Sequence, residues 1–95
     1  MYRIYRTRGF EKSYQRLKES GKFKTQARSN LKIAIDTLAV GKRLPAKFED
    51  HALTGDFLGY RECHIKGNLL LIYQLDEREG IVDLVDIGSH PQLFG

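Results

Sequence analysis

Three histidines, His51, His64 and His90, carry most of the chemical potential of this chain, and all lie in its second half. Imidazole titrates near neutral pH, so each can give or take a proton in water. Glu62 precedes His64 by two residues. On an extended strand that spacing puts both side chains on one face, about 7 Å apart. Arg61 and Lys66 flank the pair, and Tyr60 and Phe94 supply aromatic rings. Such a set suits RNA cleavage by phosphoryl transfer. The ribose 2′-OH must lose a proton, the leaving 5′-oxygen must gain one, and the pentacoordinate phosphorus needs nearby positive charge. His and Glu fill the proton roles, Arg61 and Lys66 the charge role, and Phe94 or Tyr60 can stack on a splayed base. The plainer reading of the same residues is a surface Glu–His pair on a strand and a Phe94 that plugs the tail onto the core.

The elements that would hold these groups follow from periodicity. Ile81 to Ile87 reads as a buried strand, and Gly88-Ser89 then presents His90 on a short tail. Tyr60 to Lys66 alternates, with Tyr60, Glu62, His64 and Lys66 on one side and Arg61, Cys63 and Ile65 on the other. Gly67-Asn68 makes a two-residue turn. Leu69 to Leu75 is apolar on both faces, as a central strand is. The three strands form an antiparallel meander whose first and third members flank the second. His64 and His90 then lie toward the same end of the sheet, and His51 approaches from the loop before it.

The first half reads as scaffold. Tyr2 to Thr7 alternates as a short strand, and Thr7 can cap a helix beginning near Arg8. Phe10, Tyr14 and Leu17 form its apolar stripe, and Gly21 stops it. Thr25 is placed to cap a second helix with the stripe Ala27, Leu31, Ala34, Ile35 and Leu38, ended by Gly41. Two helices with so short a link predict an antiparallel hairpin. From Leu44 to Gly59 the chain is irregular, with Phe48, Leu53, Phe57 and Leu58 as apolar plugs. The predicted fold is α+β, with two N-terminal helices on one side of a small antiparallel sheet.

A chain of 95 residues makes one domain, residues 1–95, with one core. No apolar run reaches the roughly 18 residues of a membrane span, and the N-terminus lacks a signal-peptide pattern, so a cytoplasmic location is expected. The single cysteine, Cys63, cannot close an internal disulfide and excludes a Cys-based zinc centre. The histidines offer no short-spaced ligand pair, so no metal and no cofactor are expected. Charge is divided unevenly. Residues 1–50 hold 13 Lys and Arg against 5 Asp and Glu, a net of +8; residues 51–95 hold 3 against 7, a net of −4. A basic half suits an anionic partner, whether RNA, DNA or an acidic protein.

Four stretches together resemble one family. Asp50-His51-Ala52-Leu53 with Gly55, Gly59-Tyr60-Arg61-Glu62-Cys63-His64-Ile65, Leu70-Leu71-Ile72-Tyr73, and Gly88-Ser89-His90 with Leu93-Phe94 are similar to the YafQ-type toxins of the RelE/ParE superfamily, in the same order and over the whole length. The resemblance implies a β-α-α-β-β-β toxin fold and the toxin of a bacterial type II toxin–antitoxin pair. It implies metal-independent, ribosome-dependent endonucleolytic cleavage of mRNA. The implied partners are a cognate antitoxin, the ribosome with its mRNA, and operator DNA through the antitoxin complex. By position, His90, His64, His51 and Glu62 match active-site residues of the family, and Phe94 matches a terminal aromatic that positions substrate. Asn68 and Asp86 depart from the pattern, where family members carry an Asp and an Arg. Two other readings stand beside it: a ParE-like toxin without ribonuclease activity, against which the three histidines argue, and, kept open by these departures, a weakly catalytic module that binds antitoxin and operator DNA.

Overall fold

A computed structural model describes residues 1–95. The elements run β1 (Arg3–Arg6), α1 (Arg8–Glu19), α2 (Thr25–Ala39), β2 (His51–Ala52), β3 (Arg61–Lys66), β4 (Leu69–Asp76), β5 (Ile81–Ser89) and α3 (His90–Phe94), with single 3₁₀ turns at Ala46–Phe48 and Gly55–Phe57. All five strands join one sheet in the order β1-β5-β4-β3-β2. No helix is long and apolar enough to cross a membrane.

The alternation of β3 decides the layout. Cys63 and Ile65 point to the helices and belong to the main core with Phe10, Leu31, Ala34, Phe48, Leu71, Tyr73 and Leu84. Glu62 and His64 take the opposite face. β4 is buried on both sides, which its unbroken apolar run required: Leu71 and Tyr73 join the main core, and Leu70 and Ile72 are buried outside it. The helices pack on different strands, α1 over β5 and α2 over β3. Thr7 caps α1 as expected, its hydroxyl oxygen accepting from the Phe10 N–H. The same hydroxyl donates to the Leu84 carbonyl at 2.8 Å, which ties the helix start to β5.

Several expectations need correction. The sheet is mixed, because β1 runs parallel to β5, pairing Arg3 with Ile81 through Arg6 with Leu84. Thr25 is the first residue of α2, and Lys24 takes the cap position without a side-chain bond. The third meander strand continues two residues further, to Ser89, and the expected tail is a helical turn. Within the irregular stretch His51 and Ala52 form an edge strand against β3. Phe48 is a true plug at 1% exposure, whereas Leu58 is 76% exposed and plugs nothing.

Cys63 is fully buried, and burial, with Asp50 and Glu62 nearby, pushes its thiol up to about 12. The thiolate needed for reaction is therefore absent at neutral pH. Iodoacetamide at pH 8 should leave Cys63 unmodified in the folded protein and label it within minutes in denaturant, read by intact mass. Labelling of the folded chain at the rate of a free thiol would contradict this packing.

Candidate active site

β2 is held at the sheet edge by one carboxylate. Asp50 accepts from the Tyr73 hydroxyl at 2.6 Å and from Arg61 Nη2 at 3.0 Å and Nε at 3.3 Å. The phenol comes from the middle of β4 and is 1% exposed, so the bond pulls the edge against the core. Burial first, and the hydrogen bond to Asp50 second, raise the Tyr73 phenol well above its ordinary value. Chiefly through its hydrogen bond to Asp50, the Arg61 guanidinium is held above its own. Both groups stay in their donor forms at neutral pH. Arg61, expected to meet substrate phosphate, is instead engaged with Asp50; its parity on β3 is opposite to that of Glu62 and His64.

With Asp50 fixed, the next residue is placed by register. His51 pairs directly with Glu62 across the β2–β3 ladder. His51 Nδ1 lies 2.8 Å from the Glu49 carbonyl, and Nε2 lies 3.0 Å from Glu62 Oε2. A carbonyl only accepts, so Nδ1 carries hydrogen. Nε2 then faces Glu62 Oε2 at a distance across which an imidazole and a carboxyl can exchange a proton. Glu49 adopts the left-handed conformation (φ 47°), alone among the non-glycine residues. Its carbonyl is thereby turned to the ring at a conformational cost. Glu62 is 6% exposed, and its Oε1 has no hydrogen-bond partner. The His64 ring is 6.5 Å from that of His51.

His90 reaches the site by a different route. In the register, His64 pairs with Leu70, and Leu70 with Gly88, so Gly88 lies two strands from His64, about 10 Å away. α3 starts two residues later. It is five residues long, too short to be stable alone. Ser89 and Gln92 close a reciprocal capping box: the Ser89 N–H donates to Gln92 Oε1 at 2.8 Å, and the Gln92 N–H donates to Ser89 Oγ at 3.4 Å. Gly88 leaves room for this turn, since a Cβ there would sit 2.8 Å from Gln92 Oε1. The exposed His90 ring lies 4.8 Å from the half-buried Phe94, and Phe94 meets Phe57 edge-on at 4.9 Å. The expected site residues thus form two clusters, His51–Glu62–His64 and His90–Phe94. Lys66 stands exposed at the end of β3, on the rim of a groove of about 830 Å³ that also takes in Arg16, Lys22, Asn68, Asp86 and Ser89. Asp50, Tyr73 and Phe57 support the candidate site residues by contact, and sequence reasoning passed over them. Asp50 stands beside His51, which was a usable signal; Tyr73 and Phe57 read as ordinary core and plug.

No three His, Cys, Asp or Glu side chains converge closely enough to hold a metal ion.

Comparison with known proteins places this geometry. The profile of the family described as "Bacterial toxin of type II toxin-antitoxin system, YafQ" matches residues 2–95. The mRNA interferase toxin YafQ of Escherichia coli K12 is 38% identical over 52 residues, 55% of this chain and 54% of that protein. The matched stretches span about half the length of such relatives or less. The structure of a copper-bound mutant toxin from Helicobacter pylori superposes with a TM-score of 0.87 at 33% identity, covering 99% of this chain and 100% of that one. The E. coli DinJ–YafQ complex superposes with a TM-score of 0.84 at 27% identity, covering 100% of both chains.

Removal of the His51 ring would leave the buried Glu62 carboxyl with no partner. His51→Ala should lower unfolding free energy by about 1–3 kcal/mol, measured by urea denaturation. Adding Glu62→Leu should recover most of the loss. A double variant no more stable than His51→Ala would show that the pair is not what the edge depends on.

Proposed function

This chain belongs to the YafQ family of bacterial toxins from type II toxin–antitoxin systems, and on that premise we propose that it is the toxin of such a pair, an endoribonuclease acting on mRNA at the ribosome. The observation that carries the reading is the His51–Glu62 pair. The His51 ring is held from both nitrogens, by the Glu49 carbonyl and by Glu62, with His64 beside it and His90 on the helical turn beyond β4.

The groups divide the reaction between them. The dyad holds a proton ready at Nε2, opposite Glu62 Oε2. His90, exposed and unpaired, is free to take up or release one at the substrate. His64 adds a second imidazole near the dyad, where charge develops on the phosphorus. Phe94 offers a ring beside His90 for a splayed base. Lys66, with Arg16 and Lys22 on the neighbouring groove, supplies the cationic surface that single-stranded RNA requires. Arg61 acts one step back, through Asp50.

Proton transfer by side chains needs no metal. The clusters stand apart across the sheet, so the substrate must be held by something larger than this domain. The ribosome fits that need. The DinJ–YafQ complex of E. coli supports a small cognate antitoxin as the partner that restrains the toxin in the bacterial cytoplasm, with operator DNA reached through that complex.

In a reconstituted translation reaction the protein should cut mRNA at defined sites, unaffected by EDTA added at constant free magnesium. His90→Ala should reduce the rate by about 10²–10⁴-fold, the usual share of a proton-transfer group. Naked RNA should be cut only weakly. Equal cutting by wild type and variant would remove His90 from the chemistry. Absence of cutting by the wild type would favour a binding module. Asp86 places negative charge on the groove beside Arg16, Lys22 and Lys66. Asp86→Arg should therefore raise the cutting rate several-fold in the same reaction, and an unchanged or lower rate would assign Asp86 no part in substrate attraction.

A further inference from the structure

Phe57 belongs to neither the main core nor the polar site, yet it touches the helix that carries His90. It sits at the end of a 3₁₀ turn (Gly55–Phe57) inside an internally closed loop. The Leu53 N–H donates to the Tyr60 carbonyl at 2.9 Å across the loop base, and the Phe57 carbonyl accepts from the Tyr60 N–H at 3.0 Å. Gly55 (φ 63°) and Gly59 (φ 97°) turn the chain on either side of the ring. These are backbone angles that a side chain adopts only with strain. The loop therefore has one defined shape, and that shape presents Phe57 edge-on to Phe94 at 4.9 Å, with Phe94 in turn 4.8 Å from the His90 ring.

α3 needs such a support. Its capping box fixes where the turn starts, not how it lies on the sheet. The cap and Leu93 act on the side of Gly88, whereas Phe94 is held from the β2–β3 loop. From this arrangement we infer that Phe57 is a positioning residue: through Phe94 it sets the orientation of the His90 ring and joins the His90 cluster to the loop that leaves β2. Edge-to-face aromatic pairs contribute by geometry as well as by area. An aliphatic side chain of similar bulk would fill the space without fixing the angle. The inference rests on the ribonuclease reading for its kinetic consequence and on geometry alone for its structural one.

The test compares wild type, Phe57→Ala, Phe57→Leu and Phe57→Tyr in two assays. In the reconstituted translation reaction, Phe57→Ala and Phe57→Leu should lower the maximal cutting rate about tenfold or more, the scale expected when a reacting group is misplaced by an ångström or less. Half-saturation should stay within about twofold, since the loss lies in alignment and not in uniform binding. Phe57→Tyr should restore most of the rate. In nuclear magnetic resonance spectra of the free protein, the ring C–H signals of His90 should move in Phe57→Ala and Phe57→Leu while those of His51 and His64 stay in place. Should Phe57→Ala not fold, Phe57→Leu carries both assays. Unchanged cutting by both variants, or a rate loss with His90 signals unmoved, would overturn the inference. Movement of all three histidines together would also overturn it, by assigning Phe57 a general structural role. If the wild type cuts nothing, the ribonuclease reading fails, and the His90 signals still decide whether Phe57 positions that ring.

Discussion

The short bond between the Tyr73 hydroxyl and Asp50 is the contact on which the working face depends. It joins the sheet's two-residue edge strand to its most buried tyrosine. A two-residue strand has too few ladder bonds to hold its own register. Slippage by one residue would send His51 to the wrong face of the sheet. Asp50 prevents that by meeting Tyr73 and Arg61 from the helix-facing side, so that His51 emerges on the other side opposite Glu62. A charge-assisted network placed among core residues thus does positional service for a ring that is itself half exposed. The burial that raises the Tyr73 phenol also keeps its proton in place for this task.

The two halves of the site are supported in physically different ways. His51, Glu62 and His64 belong to strands, and their relative positions follow from the ladder. His90 belongs to a single helical turn whose seat is made by a capping box, a glycine floor and aromatic contacts. Strand-held groups move with the sheet, whose opening requires loss of the core. A capped turn can shift while the core stays intact. The arrangement puts the His51–Glu62 pair on the sheet and His90 on the part of the fold freer to adjust.

Much of this was legible in the sequence, and the boundary has a physical origin. Glu62, His64, Cys63 and Ile65 fell on their correct faces because a strand's period of two is written in consecutive residues. The Thr7 cap and the double-sided burial of β4 were legible for the same reason. What could not be read depends on pairing between distant segments. The parallel contact of β1 with β5 has no local signature. Arg61 looked like a free cation because nothing near it in the chain reveals that Asp50 closes over it. Phe57 and Leu58 are adjacent and apolar, and only the turn between Gly55 and Gly59 decides that one packs on Phe94 while the other stays in water. Residue types suggested a chemistry; the contacts that would support it are tertiary.

The charge division gains meaning once the fold is known. The positive excess belongs to the segment that contains α1 and α2, and the negative excess to the segment that contains β2 to β5 and α3. The sheet carries carboxylates, Asp83 on β5 and Glu62 on β3, while Asp86 shares the groove of Arg16, Lys22 and Lys66. Attraction of a polyanion acts over roughly a Debye length, about 8 Å at physiological salt, so cations need not touch the reacting phosphate to concentrate the strand nearby. Proton transfer works only at hydrogen-bond distance. On the proposed ribonuclease reading, that difference in range lets Arg16, Lys22 and Lys66 draw a strand in without standing at the His51–Glu62 pair.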